Sequence, residues 1–147
     1  MESIEFQPVE KSTGNSASIE ALQRAMSAMP QWNAEGNTSH YFSDQMYCRV
    51  LFRPAGTLIV GKKHKKSHFY IVAKGCVQIE KEIYPAGTVL VCQPGTKRAV
   101  YALEDSICLT VHRTNNRNLK RLEKQLVEDD PLALFDAGNK LKVKELT

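Results

Sequence analysis

The stretch Gly56-Thr57-Leu58-Ile59-Val60-Gly61-Lys62-Lys63-His64-Lys65-Lys66-Ser67-His68-Phe69-Tyr70-Ile71-Val72-Ala73-Lys74-Gly75 decides the fold. Two short β-branched and aromatic runs, Thr57–Val60 and Phe69–Val72, flank a cationic segment, and a glycine stands at each end. Runs of this kind read as strands, and the glycines read as turns. The texture continues on both sides. Cys48–Phe52, Cys76–Ile79, Thr88–Cys92, Ala99–Leu103 and Ile107–His112 are further short runs, separated by Pro54-Ala55-Gly56, Lys74-Gly75, Pro85-Ala86-Gly87, Pro94-Gly95-Thr96 and Glu104-Asp105-Ser106. Evenly spaced short strands with Gly and Pro turns predict an all-β sandwich or barrel. Glu80-Lys81-Glu82 is the expected tip of its central hairpin.

Outside this block the period is helical. Ile19, Leu22, Met26 and Met29 predict a helix over about 18–29, stopped by Pro30. Residues 31–45 read as irregular, with a turn at Gly36-Asn37-Thr38-Ser39. Leu119, Leu122 and Leu126 predict a second short helix over about 115–128, ended by Asp129-Asp130-Pro131, and residues 136–147 read as a charged tail. Three parts follow: an arm over 1–46, a barrel over 47–113, and a helix with tail over 114–147.

At 147 residues and 42% apolar content the chain can bury a core, which excludes wholesale disorder. No apolar run approaches the ~20 residues that span a bilayer, and no leader-like segment opens the chain, so a protein that is neither secreted nor membrane-bound is expected. Cys48, Cys76, Cys92 and Cys108 lie far apart with no Cys-x-x-Cys pair, which predicts reduced thiols. The formal net charge of +4 conceals a partition. Residues 1–48 hold two basic and six acidic side chains, and residues 49–98 hold ten basic and two acidic. Such a centre attracts anions.

The spacing in the opening stretch resembles the first motif of the cupins, small double-stranded β-helix barrels. Gly56 is followed by five residues, Lys62, Lys63, His64, three residues, His68, six residues and Gly75. The family has His, any residue, His, then Glu at these places. Here Lys62 stands at the first His, His64 matches the second, and His68 replaces the Glu. The second motif is similar to Gly87 through Gln93-Pro94-Gly95-Thr96-Lys97-Arg98, with Arg98 at the third His. The resemblance covers about residues 47–112 and implies an all-β core, a cupin-type antiparallel barrel or jelly roll, with short flanking α-helices. The wording from Phe52-Arg53-Pro54 to Val111-His112-Arg113 also resembles small cupin-like proteins encoded by tailed bacteriophages.

Mapped through the resemblance, the inner face carries Lys62, His64, His68, Tyr70 and Arg98. Protonated lysine and arginine are poor metal ligands, and two histidines without a carboxylate do not complete a metal site. The set therefore predicts no metal and no other cofactor. It suits a small anion instead: Arg98 offers a planar fork, Lys62 a point charge, and the histidines further donors with pKa values lowered by those cations. Lys62-Lys63-His64-Lys65-Lys66 lacks interleaved aromatics, so specific nucleic-acid binding is not expected. No catalytic triad or carboxylate pair is visible, so the expected function is non-enzymatic. The phage resemblance and the two arms together suggest assembly: a virion component such as a decoration, collar or head-to-tail protein, found in the virion or the infected-host cytoplasm. Homo-oligomer contacts, or contacts to other virion proteins, are expected through the arm and the C-terminal helix. The alternative is a soluble binder of a small anion or a host signalling nucleotide. A third reading is a metal-dependent cupin enzyme.

Overall fold

A computed structural model describes residues 16–26 and 34–128. In chain order its elements are helix α1 (Ser16–Met26), a 3-10 turn at Glu35–Asn37, then β1 (Thr38–Ser43), β2 (Met46–Arg53), β3 (Leu58–Val60) and β4 (His68–Lys74). They continue with β5 (Cys76–Ile79), β6 (Glu82–Pro85), β7 (Val89–Cys92), β8 (Ala99–Ala102), β9 (Ser106–Arg113) and helix α2 (Leu119–Leu126). The strands form two antiparallel sheets, ordered β1-β2-β9-β4-β7 and β3-β8-β5-β6. Strands consecutive in the chain repeatedly switch sheets. This winding is the cupin-type double-stranded β-helix. No helix interrupts residues 47–112, and no described helix is long and apolar enough to cross a membrane.

The core follows from strand alternation. Along β9, Ser106, Cys108, Thr110 and His112 are buried, while Ile107, Leu109 and Val111 face outward and are half-buried. Val72, Val77, Ile79, Leu90, Val100 and Cys108 belong to one buried cluster filling part of the space between the sheets. All four cysteines are free thiols, two of them buried.

Several boundaries differ from the sequence reading. The sheet begins at Thr38, inside the segment expected to be irregular, because β1 pairs with β2 in continuous register from Thr38↔Leu51 to Ser43↔Met46. Its burial alternates along Thr-Ser-His-Tyr-Phe-Ser, but the run of three polar residues that opens it hid the strand. The turn expected at 36–39 is instead the 3-10 turn at Glu35–Asn37. The tip of the β5–β6 hairpin is Glu80-Lys81, with Glu80 at φ 56°, and Glu82 is already strand. Helix α2 starts at Leu119 rather than 115, because Asn118 caps it by accepting a 3.1 Å bond from the Arg121 N–H. The expected helix residues 27–29, the stop at Pro30, the end at 129–131 and the tail 136–147 lie outside the described residues, as does the acidic arm before Ser16.

The apolar stripe of α2 packs on its own barrel. Leu122 and Leu126 are buried against Tyr47 of β2, with Phe42, Leu119 and Val127 around them. The helix is therefore laid across one end of the sandwich, and the surface it needed comes from within the chain.

Two glycines with positive φ test the fold. A Cβ on Gly75 (φ +81°) would lie 2.4 Å from the Asp105 carbonyl oxygen and 2.4 Å from Ser106 Oγ, whereas Gly95 (φ +85°) has nothing within 4 Å. Gly95→Ala should cost only the left-handed backbone penalty, about 1–2 kcal/mol. Gly75→Ala adds overpacking and should cost about 2–4 kcal/mol. Urea unfolding of both variants checks this; equal losses would show that the Gly75 turn is not tightly packed.

Candidate functional site

The register of the larger sheet assembles the site. Tyr47 pairs with His112 across β2 and β9. One position along, Phe69 pairs with Val111, which brings His68 beside His112, and His68 pairs with Cys92 on β7. Tyr47, His112, His68 and Cys92 thus form one inward row. The next inward row is His40, Arg49, Thr110, Tyr70 and Leu90. His64 arrives from the segment between β3 and β4, which pairs with the chain after α2. His64 bridges Val127, the Lys65 N–H donates to the Leu126 carbonyl at 2.7 Å, and the Glu128 N–H donates to the Lys63 carbonyl at 2.8 Å.

The result is a cluster of three imidazoles. Ring centroids lie 4.1 Å apart for His64–His68, 4.5 Å for His68–His112 and 4.8 Å for His64–His112. One ring nitrogen from each falls within 4.8 Å of the others. His68 Nδ1 lies 3.2 Å from the Lys66 carbonyl. A carbonyl only accepts, so Nδ1 carries the proton and Nε2 keeps its lone pair. The Nδ1 atoms of His64 and His112 are buried without partners.

The rings are held neutral. Burial pushes His64 well below the usual histidine range, and the neighbouring histidines, Arg49 and Arg98 add to the effect. His68 is lowered to about 4, chiefly by burial, with Arg98 and Arg49 contributing against the Lys66 bond. His112 is lowered to about 3 by burial, His68 and Arg49. Cations beside the rings thus act in the direction read from the sequence, but burial is the larger cause. His40, the fourth histidine, is lowered by burial and Arg49 and makes a 2.6 Å bond with the Tyr47 hydroxyl.

Beside the cluster is a cavity of about 40 Å³ lined by Tyr47, Arg49, Lys62, His64, His112 and Glu123, and roofed by Leu122, Leu126 and Val127. Of the residues singled out from sequence, the structure brings His64 and His68 together and keeps Arg98 close enough to act on both. Arg98 Nη1 donates to Cys92 Sγ at 3.1 Å. Lys62 lies on the cavity wall, where it forms an ion pair with Glu123 of α2. Tyr70 sits in the apolar cluster, where burial raises its pKa, so it belongs to the core behind the site. Lys65 and Lys66 are exposed.

Sequence reasoning missed His112, Arg49 and Glu123. For His112 the signal was present. Ser106, Cys108, Thr110 and His112 alternate with Ile107, Leu109 and Val111, which puts His112 on the polar inner side of its strand. Motif spacing pointed instead to Arg98, which is near the cluster but is not its third imidazole.

Neither a protein-family model nor a curated protein matches the sequence. Solved structures with a similar fold include an uncharacterized conserved protein with a double-stranded β-helix domain from Klebsiella pneumoniae (16% identity, 63% of this chain and 83% of that one, TM-score 0.48). An RmlC-like cupin from Shewanella frigidimarina is similar at 15% identity over 55% of this chain and 77% of that one, TM-score 0.45. An acetylacetone dioxygenase from Acinetobacter johnsonii is similar at 13% identity over 52% of this chain, TM-score 0.45, and the chain spans only 58% of that protein. These likenesses concern the fold and carry no activity across.

The neutral cluster has a consequence for stability. A histidine whose folded pKa lies below its unfolded value near 6.5 stabilises the fold fully only above that value. As pH falls, the unfolded chain takes up protons that the folded cluster refuses, and stability declines from about pH 6.5 towards 4. With shifts to about 4 and 3 at two of the rings, the loss by pH 4 is on the order of several kcal/mol, comparable to the whole stability of a small domain. Calorimetry in EDTA should show the melting temperature dropping steeply below pH 6. A melting temperature constant from pH 7 to 4.5 would contradict the neutral, buried cluster.

Proposed function

We propose that the barrel is a metal-binding site in which His64, His68 and His112 hold one divalent transition ion. The observation that carries this is the convergence of three imidazole nitrogens within 4.8 Å. The donor set fits. The rings are neutral, as ligands must be. His68 is oriented by the Lys66 carbonyl, the kind of outer contact that fixes a ligating tautomer. The unpartnered Nδ1 atoms of His64 and His112 have a use. The expectation of no metal rested on the cations Lys62 and Arg98 at ligand positions and on there being only two histidines; His112 supplies a third imidazole.

Three protein ligands leave coordination positions open, so a bound ion would offer Lewis acidity to a molecule in the cavity. The chain's own residues contribute the rest. Leu122, Leu126 and Val127 keep the roof dry, and Arg49 supplies a fixed positive charge. Among the described residues Glu123 is the one carboxylate lining the cavity; it is engaged by Lys62 and is not poised as a free base. The reading is therefore of a binding site, in keeping with a non-enzymatic role. The assembly role in a virion draws no support from the described residues, because α2 spends its apolar stripe on its own barrel.

Cobalt(II) titration of EDTA-treated protein tests the proposal. One equivalent should bind with a visible ligand-field spectrum, and His112→Ala should weaken binding by about a hundredfold or more. Absence of stoichiometric uptake, or uptake unchanged in His112→Ala, would overturn it.

A further inference from the structure

The inner face of the larger sheet carries more positive charge than the described residues neutralise. Arg49 and Arg53 both point inward from β2, in the same alternating set as Tyr47 and Leu51. Arg53 is only 6% exposed, and its Nε and Nη1 have no hydrogen-bond partner. Neither arginine has a carboxylate at ion-pair distance among the described residues. Arg98 adds its field from the Cys92 side. Among the described residues the one acid in the cavity wall is Glu123, which opposes an incoming anion, but Lys62 beside it cancels that charge. A guanidinium enclosed without a counter-ion is costly, and an anion that reaches it recovers that cost.

The cavity also limits what the anion can be. Its Arg49 wall offers a planar fork that matches a carboxylate. The same cavity is lined by the apolar side chains of Leu122, Leu126 and Val127 and by the ring of Tyr47. Inorganic phosphate, with oxygens on every side, would turn some of them against these apolar groups unsatisfied. A carboxylate with a short hydrocarbon tail satisfies both walls. At about 40 Å³ the space holds about three water-sized groups, so only a short tail fits beside the carboxylate.

We infer that the cavity binds a small aliphatic monocarboxylate, its carboxylate on Arg49 and its tail under Leu122, Leu126 and Val127, with His64 and His112 at its side. This deepens the metal reading of the same cavity and rests on it for the neighbouring ion, which supplies a second attraction for the carboxylate. Arg49 is the ligand-binding residue; Arg53 and Arg98 act through their charge.

The test uses the full chain, EDTA-treated and cobalt-loaded, with acetate, propionate and butyrate as probes and inorganic phosphate as comparator. Propionate or butyrate should raise the melting temperature of both forms, more strongly in the cobalt-loaded one, and phosphate should do less. Arg49→Met should weaken propionate binding by about tenfold or more. It should also raise the melting temperature of the ligand-free protein, since it removes an uncompensated charge and keeps the volume. That paired signature separates loss of a site from loss of the fold. Arg49→Lys should retain part of the response, and Lys81→Gln, at the exposed tip of the β5–β6 hairpin, all of it. The inference falls if neither form responds to propionate, if phosphate matches it, or if Arg49→Met leaves the response intact. A propionate response that depends on Arg49 in the EDTA-treated form, in a protein that takes up no cobalt, would uphold the carboxylate site while removing the metal reading.

Discussion

The pairing of β9 with both β2 and β4 is the constraint on which the site depends. Strand side chains alternate with a period of two, and a one-residue slip would send every inward group outward. In the observed register Tyr47, His112, His68 and Cys92 share a row, and Arg49, Thr110 and Tyr70 share the next. A slip of β9 by one residue would replace His112 and Thr110 by Val111 and Leu109 on the inner face. It would also turn Cys108 out of the core. The same pairing therefore fixes the imidazole cluster and the apolar cluster together.

The interior is divided, and the division makes its polar part tolerable. Val72, Val77, Ile79 and Leu90 are essentially inaccessible; burying such a side chain contributes about 1.5–3 kcal/mol. Those gains offset the enclosure of Arg53 and of histidines held neutral against their solution preference. Tyr47 marks the boundary. Its ring packs near His40 and Phe42 of β1 on one side and His112 of β9 on the other, while Leu122 and Leu126 close over it. The helix thus dries the cavity from above as the strand register shapes it from below.

The β architecture was legible because its signals are local. Pro-Ala-Gly and Pro-Gly-Thr turns and runs such as Phe69–Val72 need no tertiary context. Strand β1 was not, because Thr38-Ser39-His40 resembles loop composition until β2 supplies its partner. For the site, His64 and His68 were found from motif spacing, and their company of cations was anticipated. The third imidazole was not, since nothing in spacing along the chain relates His112 to the other two; it meets His68 through the pairing of β4 with β9, and His64 through the segment bridged to Val127. Glu123 was hidden for a similar reason. Its role depends on where a capped helix is laid down, and Asn118 sets that start.

The bonding of residues 63–65 to residues 126–128 also has a consequence for biosynthesis. Every strand of the barrel lies between Thr38 and Arg113, so all of them leave the ribosome before helix α2 does. Val127, the partner of His64, emerges later still. Vectorial synthesis therefore presents a barrel with an uncovered mouth first and its roof last. During that interval His64 lacks the bridge that holds it, so the three-imidazole cluster is complete only when the final turn of the helix docks.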